Sequence, residues 1–139
     1  MIILDTNVIS ELVKPQPNED VVKWVGSLNE VVGTTAVNAA ELRAGLRLMP
    51  MGRRRAQLER LIFGHLESFD QTGSILAFDQ LAATDYAEVI FARMTAGYPI
   101  SAQDAMIAAI CRARGCTLAT RNVKNFEGTG VIVVNPWVA

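Results

Sequence analysis

The chain is poor in the residues that build most enzyme centres: it has one histidine, His65, and two cysteines, Cys111 and Cys116, in 139 residues. That scarcity argues against metal sites made of imidazole or thiolate, and against Ser/His/Asp or Cys/His nucleophiles. His65 lies within an amphipathic stretch and reads as an incidental helix residue. Cys111 lies near a helix end and Cys116 just past the Gly115 that stops it. A disulfide is unneeded in a chain of this size, so two buried thiols in a reducing compartment are expected. No apolar run approaches bilayer length, so no membrane segment is expected. No basic leader with an apolar core precedes the opening Met1-Ile2-Ile3-Leu4-Asp5, which points to the cytoplasm. The chain also lacks a basic balance. Its net charge of −1 leaves any nucleic-acid contact to local features.

What is there is ordinary for a folded protein, with 50% hydrophobic and 19% charged residues. The length suits a single domain over residues 1–139 with a sizeable core. No repeat, low-complexity tract or dividing linker interrupts it. Met1 to Leu4 reads as a buried strand. A short helix is expected over Asn7 to Val13, stopped by Pro15 and Pro17. Helical spacing continues over Asn18 to Leu28, through Val21, Trp24, Val25 and Leu28. Glu30 to Thr34 reads as a strand and Thr35 to Leu48 as a helix. A long amphipathic helix runs from Arg53 to about Phe69 after the break at Pro50 and Gly52. Ser74 to Phe78 reads as a strand, and Asp79 caps a helix to about Ala96. Ser101 to Arg114 is a helix closed by Gly115. Thr117 to Thr120 and Val131 to Val134 read as the last strands. Strands alternating with helices predict a three-layer α/β/α sandwich with a mostly parallel central sheet. Such sheets bind ligands beyond the carboxyl ends of their strands.

Three acids stand out against that frame. Asp5 follows the first strand. It can cap the next helix or present its carboxylate at the mouth of the sheet, and both readings stay open. Glu41 shares a helical face with Val37, Ala44, Gly45 and Leu48, which predicts that it faces the sheet. A carboxylate buried there has to be protonated, paired or bound to metal. Arg43 and Arg47 stand at offsets that put them off its face. Asp104 fits a capping box opened by Ser101, and also begins the apolar stripe Ile107, Ala108 and Cys111. It can cap its helix and bind metal too. Three carboxylates near one sheet edge repel one another and raise each other's pKa. A divalent cation removes that penalty, and oxygen-only ligands select a hard ion, Mg²⁺ or Mn²⁺. Asn122, past a later strand, is an ordinary turn residue or a neutral ligand that positions water, with Thr120 as a hydrogen-bond partner.

These segments together resemble the PIN-domain nucleases, specifically the VapC/FitB-like toxins of type II toxin–antitoxin modules. The likeness is carried by Ile3-Leu4-Asp5-Thr6-Asn7-Val8-Ile9-Ser10-Glu11-Leu12, Ala39-Ala40-Glu41-Leu42-Arg43-Ala44-Gly45, Ala102-Gln103-Asp104-Ala105-Met106-Ile107-Ala108, the run from Leu118 through Val131, and Asn135-Pro136-Trp137. It spans nearly the whole chain in order. The resemblance implies a divalent-metal-dependent ribonuclease with Asp5, Glu41 and Asp104 as its acids. Asn122 falls at the less regular fourth acidic position, where it cannot ionise. Thr6 and Asn7 would brace Asp5. Arg112, Arg121 and Lys124 are candidate RNA contacts, with Arg114 beside them. The expected partners are a cognate antitoxin, an RNA substrate and a second copy of the chain, in an assembly able to reach operator DNA.

Smaller features have plain explanations. Arg53-Arg54-Arg55 reads as a solvated helix start, though its charge opposes the helix dipole and makes a grip on RNA or an acidic partner worth testing. Leu46, Leu48, Met49 and Met51 read as core, with a partner surface as the other option, and Trp137 as a packing residue. Two other function classes compete with the nuclease. One is a binding module that pairs with an antitoxin and represses its operon with little catalysis. The other is a phosphatase or phosphoacceptor built on Asp5, disfavoured because Asp5-Thr6-Asn7 lacks a second acid.

Overall fold

A computed structural model describes residues 1–139. Five strands form one all-parallel sheet in the order β3-β2-β1-β4-β5. They are β1 (Ile2–Leu4), β2 (Val32–Thr35), β3 (Ile75–Leu76), β4 (Thr117–Ala119) and β5 (Val133–Val134). The helices are α1 (Thr6–Leu12), α2 (Glu19–Gly26), α3 (Ala36–Leu48), α4 (Arg53–Gln71), α5 (Gln80–Thr95) and α6 (Ala102–Arg114). The expected sandwich is the observed one, because strand residues alternate between the two faces. Ile2 and Leu4 pack with Val8, Leu42, Leu46 and Leu66 of the α1–α4 layer. Ile3 and Leu118 pack with Val89, Ile107 and Ile110 of the α5–α6 layer.

Most expected boundaries hold within a few residues; the later strands are shorter. Ser74 to Phe78 pairs only at Ile75–Leu76, and Val131 to Val134 only at Val133–Val134. A 3-10 turn at Val123–Phe126, which had no periodic signal, sinks Phe126 into the core. Asp79 caps α5 through the Ala82 amide at 3.1 Å, as its position predicts. Gly115 closes α6 with φ 64°, a backbone that suits glycine. At Gly33 the reason for glycine is space: a Cβ there would lie 2.2 Å from the Ser74 carbonyl oxygen. That carbonyl accepts from the Thr34 amide at 2.9 Å and joins β2 to the β3 segment. Cys111 and Cys116 are buried free thiols, and burial pushes both above the ordinary thiol range.

The chain order places β2 on one side of β1 and β4 on the other. This is a topological switch point, where the loops leaving two neighbouring strands part and open a crevice. Asp5 leaves β1 and Thr120 leaves β4 there, tied by an Asp5 amide to Ala119 carbonyl bond of 2.9 Å.

Candidate active site

Asp5 is built into the crevice floor. It is 6% exposed and caps α1 by accepting from the Thr6 amide on Oδ1 at 2.9 Å. The capping role and a carboxylate at the sheet mouth, left open by the sequence, are thus both present. Asn38 Nδ2 donates to the same oxygen at 2.8 Å. Thr120 donates to Oδ2 at 2.6 Å and Asn7 Nδ2 at 3.3 Å. All four donors are neutral, so the carboxylate is oriented without an ion pair.

Thr6, Asn7 and Thr120 form the brace around that carboxylate. Asn7 also donates to Thr120 Oγ1 at 3.1 Å, and its own Oδ1 accepts from the Arg121 amide at 3.1 Å. Thr6 Oγ1 reaches Glu41 Oε1 at 3.4 Å. Asn38, which no motif singled out, is the residue that completes the brace. It is fully buried and also donates to Thr6 Oγ1 at 3.1 Å, while its Oδ1 accepts from Thr35 Oγ1 at 2.6 Å. The available signal was the Thr35-x-x-Asn38 spacing at a strand-to-helix junction: the Thr35 side chain caps the Asn38 amide.

Glu41 corrects the helical projection. The buried stripe of α3 is Asn38, Leu42 and Leu46. Ala44, Gly45 and Glu41 itself are exposed, and Leu48 is 85% exposed. The stripe lies one position C-terminal to the projected one, because a buried polar residue, Asn38, occupies its first place. Glu41 therefore reaches the crevice from the rim, without being buried among apolar neighbours. Its pKa is raised by loss of hydration, then by the charges of Asp5 and Asp104, against a lowering from Thr6.

Asp104 is half-buried in the first turn of α6, and its amide donates to the Ser101 hydroxyl at 3.1 Å. The reciprocal half of a capping box is absent: Asp104 Oδ2 accepts from Asn125 Nδ2 at 3.4 Å. Its pKa is also raised, mainly by loss of hydration and further by Asp5, while Ser101, Arg93 and Asn125 oppose the rise. Arg93 escaped sequence reasoning. It is 6% exposed and, in place of a carboxylate, holds the carbonyls of Tyr98 (2.8 Å), Pro99 (3.2 Å), Asn125 (2.6 Å) and Glu127 (3.1 Å). It thereby pins the loop before α6 to the turn that carries Asn125.

None of Asp5, Glu41 and Asp104 enters an ion pair. Nor do they close into a ready coordination sphere: no three acidic, histidine or cysteine side chains stand close enough to hold an ion directly. The expected tight cluster is instead a shared field, because Glu41 stands on an exposed helix face and Asp104 turns to Asn125. The donor chemistry still fits a hard, hydrated ion. Mg²⁺ keeps several waters and needs few direct carboxylates, and the three acids offer oxygen alone, with no ion pair to any of them.

The remaining candidates divide. Asn122 is exposed, and its amide, not its side chain, is engaged, donating to Thr120 Oγ1 at 3.1 Å. Arg112 does not flank the crevice. It lies eight residues past Asp104 on α6, about 12 Å along the axis, and pairs with Asp85 at 2.9 Å. Arg114, farther still, pairs with Asp79. The register of α6 that places Asp104 at the sheet's carboxyl edge carries these arginines to the other end. Arg121 and Lys124 are exposed beside the crevice. The Arg121 guanidinium sits 4.9 Å from the ring centre of Trp137, which packs on the α1–α4 layer.

Comparison with known proteins agrees with the fold. The PIN domain family matches residues 2–130. The toxin FitB of Neisseria gonorrhoeae is 45% identical, with 99% of both chains covered. The VapC ribonuclease Y4jK of Sinorhizobium fredii is 39% identical over 99% of this chain and 98% of its own length. The crystal structure of FitAcB from Neisseria gonorrhoeae superposes with a TM-score of 0.90 at 44% identity, covering both chains fully. A structure of FitAB bound to a DNA fragment gives a TM-score of 0.89 at 42% identity, with 99% of this chain and 96% of that one covered.

Proposed function

Because the chain belongs to the PIN-domain family, we propose that it is the ribonuclease toxin of a toxin–antitoxin module, hydrolysing RNA phosphodiester bonds with Mg²⁺ or Mn²⁺ at Asp5, Glu41 and Asp104. The observation that carries this reading is the common field of those three acids with no cationic side chain bridging any of them. Such a field is costly unless a cation or a proton enters it.

A divalent ion bound there supplies Lewis acidity and a water of lowered pKa. The chain supplies the rest. Asp5, braced by four donors, would hold the ion at the switch point. Asp104, held through Asn125, would contribute a second carboxylate. Glu41, with a raised pKa and a single long hydrogen bond, is suited to orient the attacking water and take its proton. Water oxygen bonds to phosphorus in line, the opposite P–O bond breaks, and the leaving oxygen is protonated from solvent. Asn122 adds a neutral oxygen at the rim. Arg121 and Lys124, both exposed, would meet phosphates there.

The partners are a cognate antitoxin and a second copy of the chain, with operator DNA reached through the antitoxin. The similarity to FitAB, which is bound to a DNA fragment, supports the antitoxin and the DNA. The exposed Phe91 and Met94 on α5 offer apolar area for the second copy. No helix is long and apolar enough to cross a membrane, and a ribonuclease with two reduced thiols suits the cytoplasm.

The test is a divalent-ion titration with RNA. Cleavage is expected to appear with Mg²⁺ or Mn²⁺ and vanish with a chelator. Absence of cleavage under every ion, with operator binding intact alongside an antitoxin, would favour the repressor reading.

A further inference from the structure

Arg93 is a buried cation with an unfinished hydrogen-bond set. It is 6% exposed and enters no ion pair. Its Nε donates to Tyr98, its Nη1 to Asn125 and Glu127, and its Nη2 to Pro99, always to a backbone carbonyl. A guanidinium has five N–H groups, and these bonds use four. One N–H on Nη2 is left without an acceptor in the chain. A buried charged donor in that state is costly until a ligand meets it.

The same guanidinium lines a hollow of about 240 Å³, with Pro99, Ile100, Ser101, Asp104 and Asn125. Arg93 comes from α5, Ser101 and Asp104 from the start of α6, and Asn125 from the 3-10 turn. Asp104 also faces the crevice, so the hollow adjoins the carboxylates on the α5–α6 side of the sheet. Sites for drug-sized ligands begin at about 300 Å³, and this one suits a single smaller group. Pro99 and Ile100 give it an apolar wall. Asn125 gives Nδ2 to Asp104 and leaves its Oδ1 without a donor. The only charged residues lining the hollow are Arg93 and Asp104, of opposite sign. With no net charge there, neither a phosphate nor a cation is favoured. The match is a neutral, flat group with a carbonyl for the Arg93 N–H and an N–H for the Asn125 oxygen.

From the open donor of Arg93, the open acceptor of Asn125 and the hollow they share beside Asp104, we infer a subsite for one unstacked nucleobase next to the scissile bond, selective for the keto bases uracil and guanine. It rests on the nuclease reading and adds a base class to it. Single-stranded RNA can turn a base out of its stack and present the Watson–Crick edge, whereas a duplex cannot. On that edge uracil and guanine carry a carbonyl beside a ring N–H.

The test is fluorescence anisotropy on the full chain with labelled oligo(U) and oligo(C) of about eight nucleotides, in chelator so that binding is read without cleavage. The two bases differ only on the edge that the hollow would read. Oligo(U) is expected to bind about tenfold more tightly, the worth of one or two matched hydrogen bonds. Asn125→Ala removes the acceptor and keeps the backbone carbonyl that Arg93 holds. Ser101→Asn keeps a good helix cap and puts a larger amide at the mouth of the hollow. Either substitution should narrow the preference to within about threefold and leave oligo(C) binding within about threefold of wild type. With Mg²⁺ or Mn²⁺, cleavage of a random-sequence RNA should enrich uracil or guanine at one fixed position beside the cut.

Equal binding of the two oligonucleotides by the wild type would overturn the inference. So would a preference that both variants retain. An equal loss of oligo(U) and oligo(C) in the variants would overturn it by making the hollow a phosphate contact. Uridine monophosphate competing as well as oligo(U) would do so by making it a site for a free nucleotide. Base-selective binding without cleavage under any ion would sink the nuclease reading and leave the hollow; cleavage with no base preference in binding or beside the cut would do the reverse.

Discussion

Asp5 and Glu41 belong to one crevice and are held in opposite ways. Asp5 receives four hydrogen bonds from the braces around β1 and β4. Glu41, on the open face of α3, receives one at 3.4 Å. The first position is set by backbone at the end of a central strand and by side chains whose own rotamers are locked. The second is set by a long side chain with room to turn. The difference teaches how one crevice can be both precise and adaptable: one carboxylate is fixed by its neighbours, and the other is free to turn. Asp104 stands between them, with a capped amide and one long carboxylate contact.

The comparison breaks most sharply if the rigid member is dispensable. Asp5→Asn keeps the shape but removes the charge, and it turns an amide nitrogen toward donors that need an acceptor. Cleavage at saturating metal is expected to fall by about 10³-fold, or about 4 kcal/mol of transition-state stabilisation. A folded Asp5→Asn protein within tenfold of wild type in kcat would reduce Asp5 to a helix cap.

The second prediction loosens the other side alone. Arg93→Met orphans the four carbonyls of Tyr98, Pro99, Asn125 and Glu127 that the guanidinium now holds. The expected loss is about 3 kcal/mol, a fall in melting temperature of roughly 10 °C. Arg93→Lys retains the charge without the fork and should recover only part of it. Full recovery by lysine would mean that the charge, and not the clasp, is what this position needs.

Asn38 sharpens the comparison from the Asp5 side. Asn38→Ala removes one of four donors to Asp5 and leaves the Thr35 hydroxyl without its acceptor. A loss of about 10- to 100-fold in metal affinity or activity is expected, read as a shift in the metal titration midpoint. An unshifted midpoint would show that the other three donors suffice.

How much of this was legible in the residues depended on whether a pattern was local. The layers and most helices followed from apolar periodicity and from caps such as Asp79, Ser101 and Gly115. Asp5 and Asp104 stood out because each sits at the start of a helix with a recognisable signature. The face of α3 was misassigned because periodicity counts apolar residues, and here a buried asparagine begins the stripe. Asn38 and Arg93 stayed hidden for a related reason. Their distant partners, Asp5 and Asn125, lie 33 and 32 residues away along the chain, and nothing in a single sequence connects polar groups across such distances. Arg112 illustrates the complementary error: it is close to Asp104 in sequence, yet the axis of α6 carries it to the far end.

The smallest effect tests whether the loosely held acids wait for a cation. Both Glu41 and Asp104 have raised pKa values in the folded chain, first from loss of hydration and then, in part, from Asp5. The metal-free folded state thus binds protons more tightly than the unfolded state. Its stability therefore falls as pH rises from the ordinary carboxylate range, about 4, through the raised values, and the deficit persists to neutral pH. Glu41→Gln or Asp104→Asn should then raise the metal-free melting temperature at pH 7 by a degree or so, roughly. Added Mg²⁺ should stabilise the wild type at pH 7, by about 1.4 kcal/mol at ten times its Kd. That gain should fade on acidification, as protons compete for the same oxygens. In the two variants the metal gain should shrink or disappear. Differential scanning fluorimetry from acid to neutral pH, with and without metal, reads all of this. Lowered metal-free stability in both variants would mean that these acids stabilise the fold by their own hydrogen bonds, and that their mutual repulsion is too small to call for an ion.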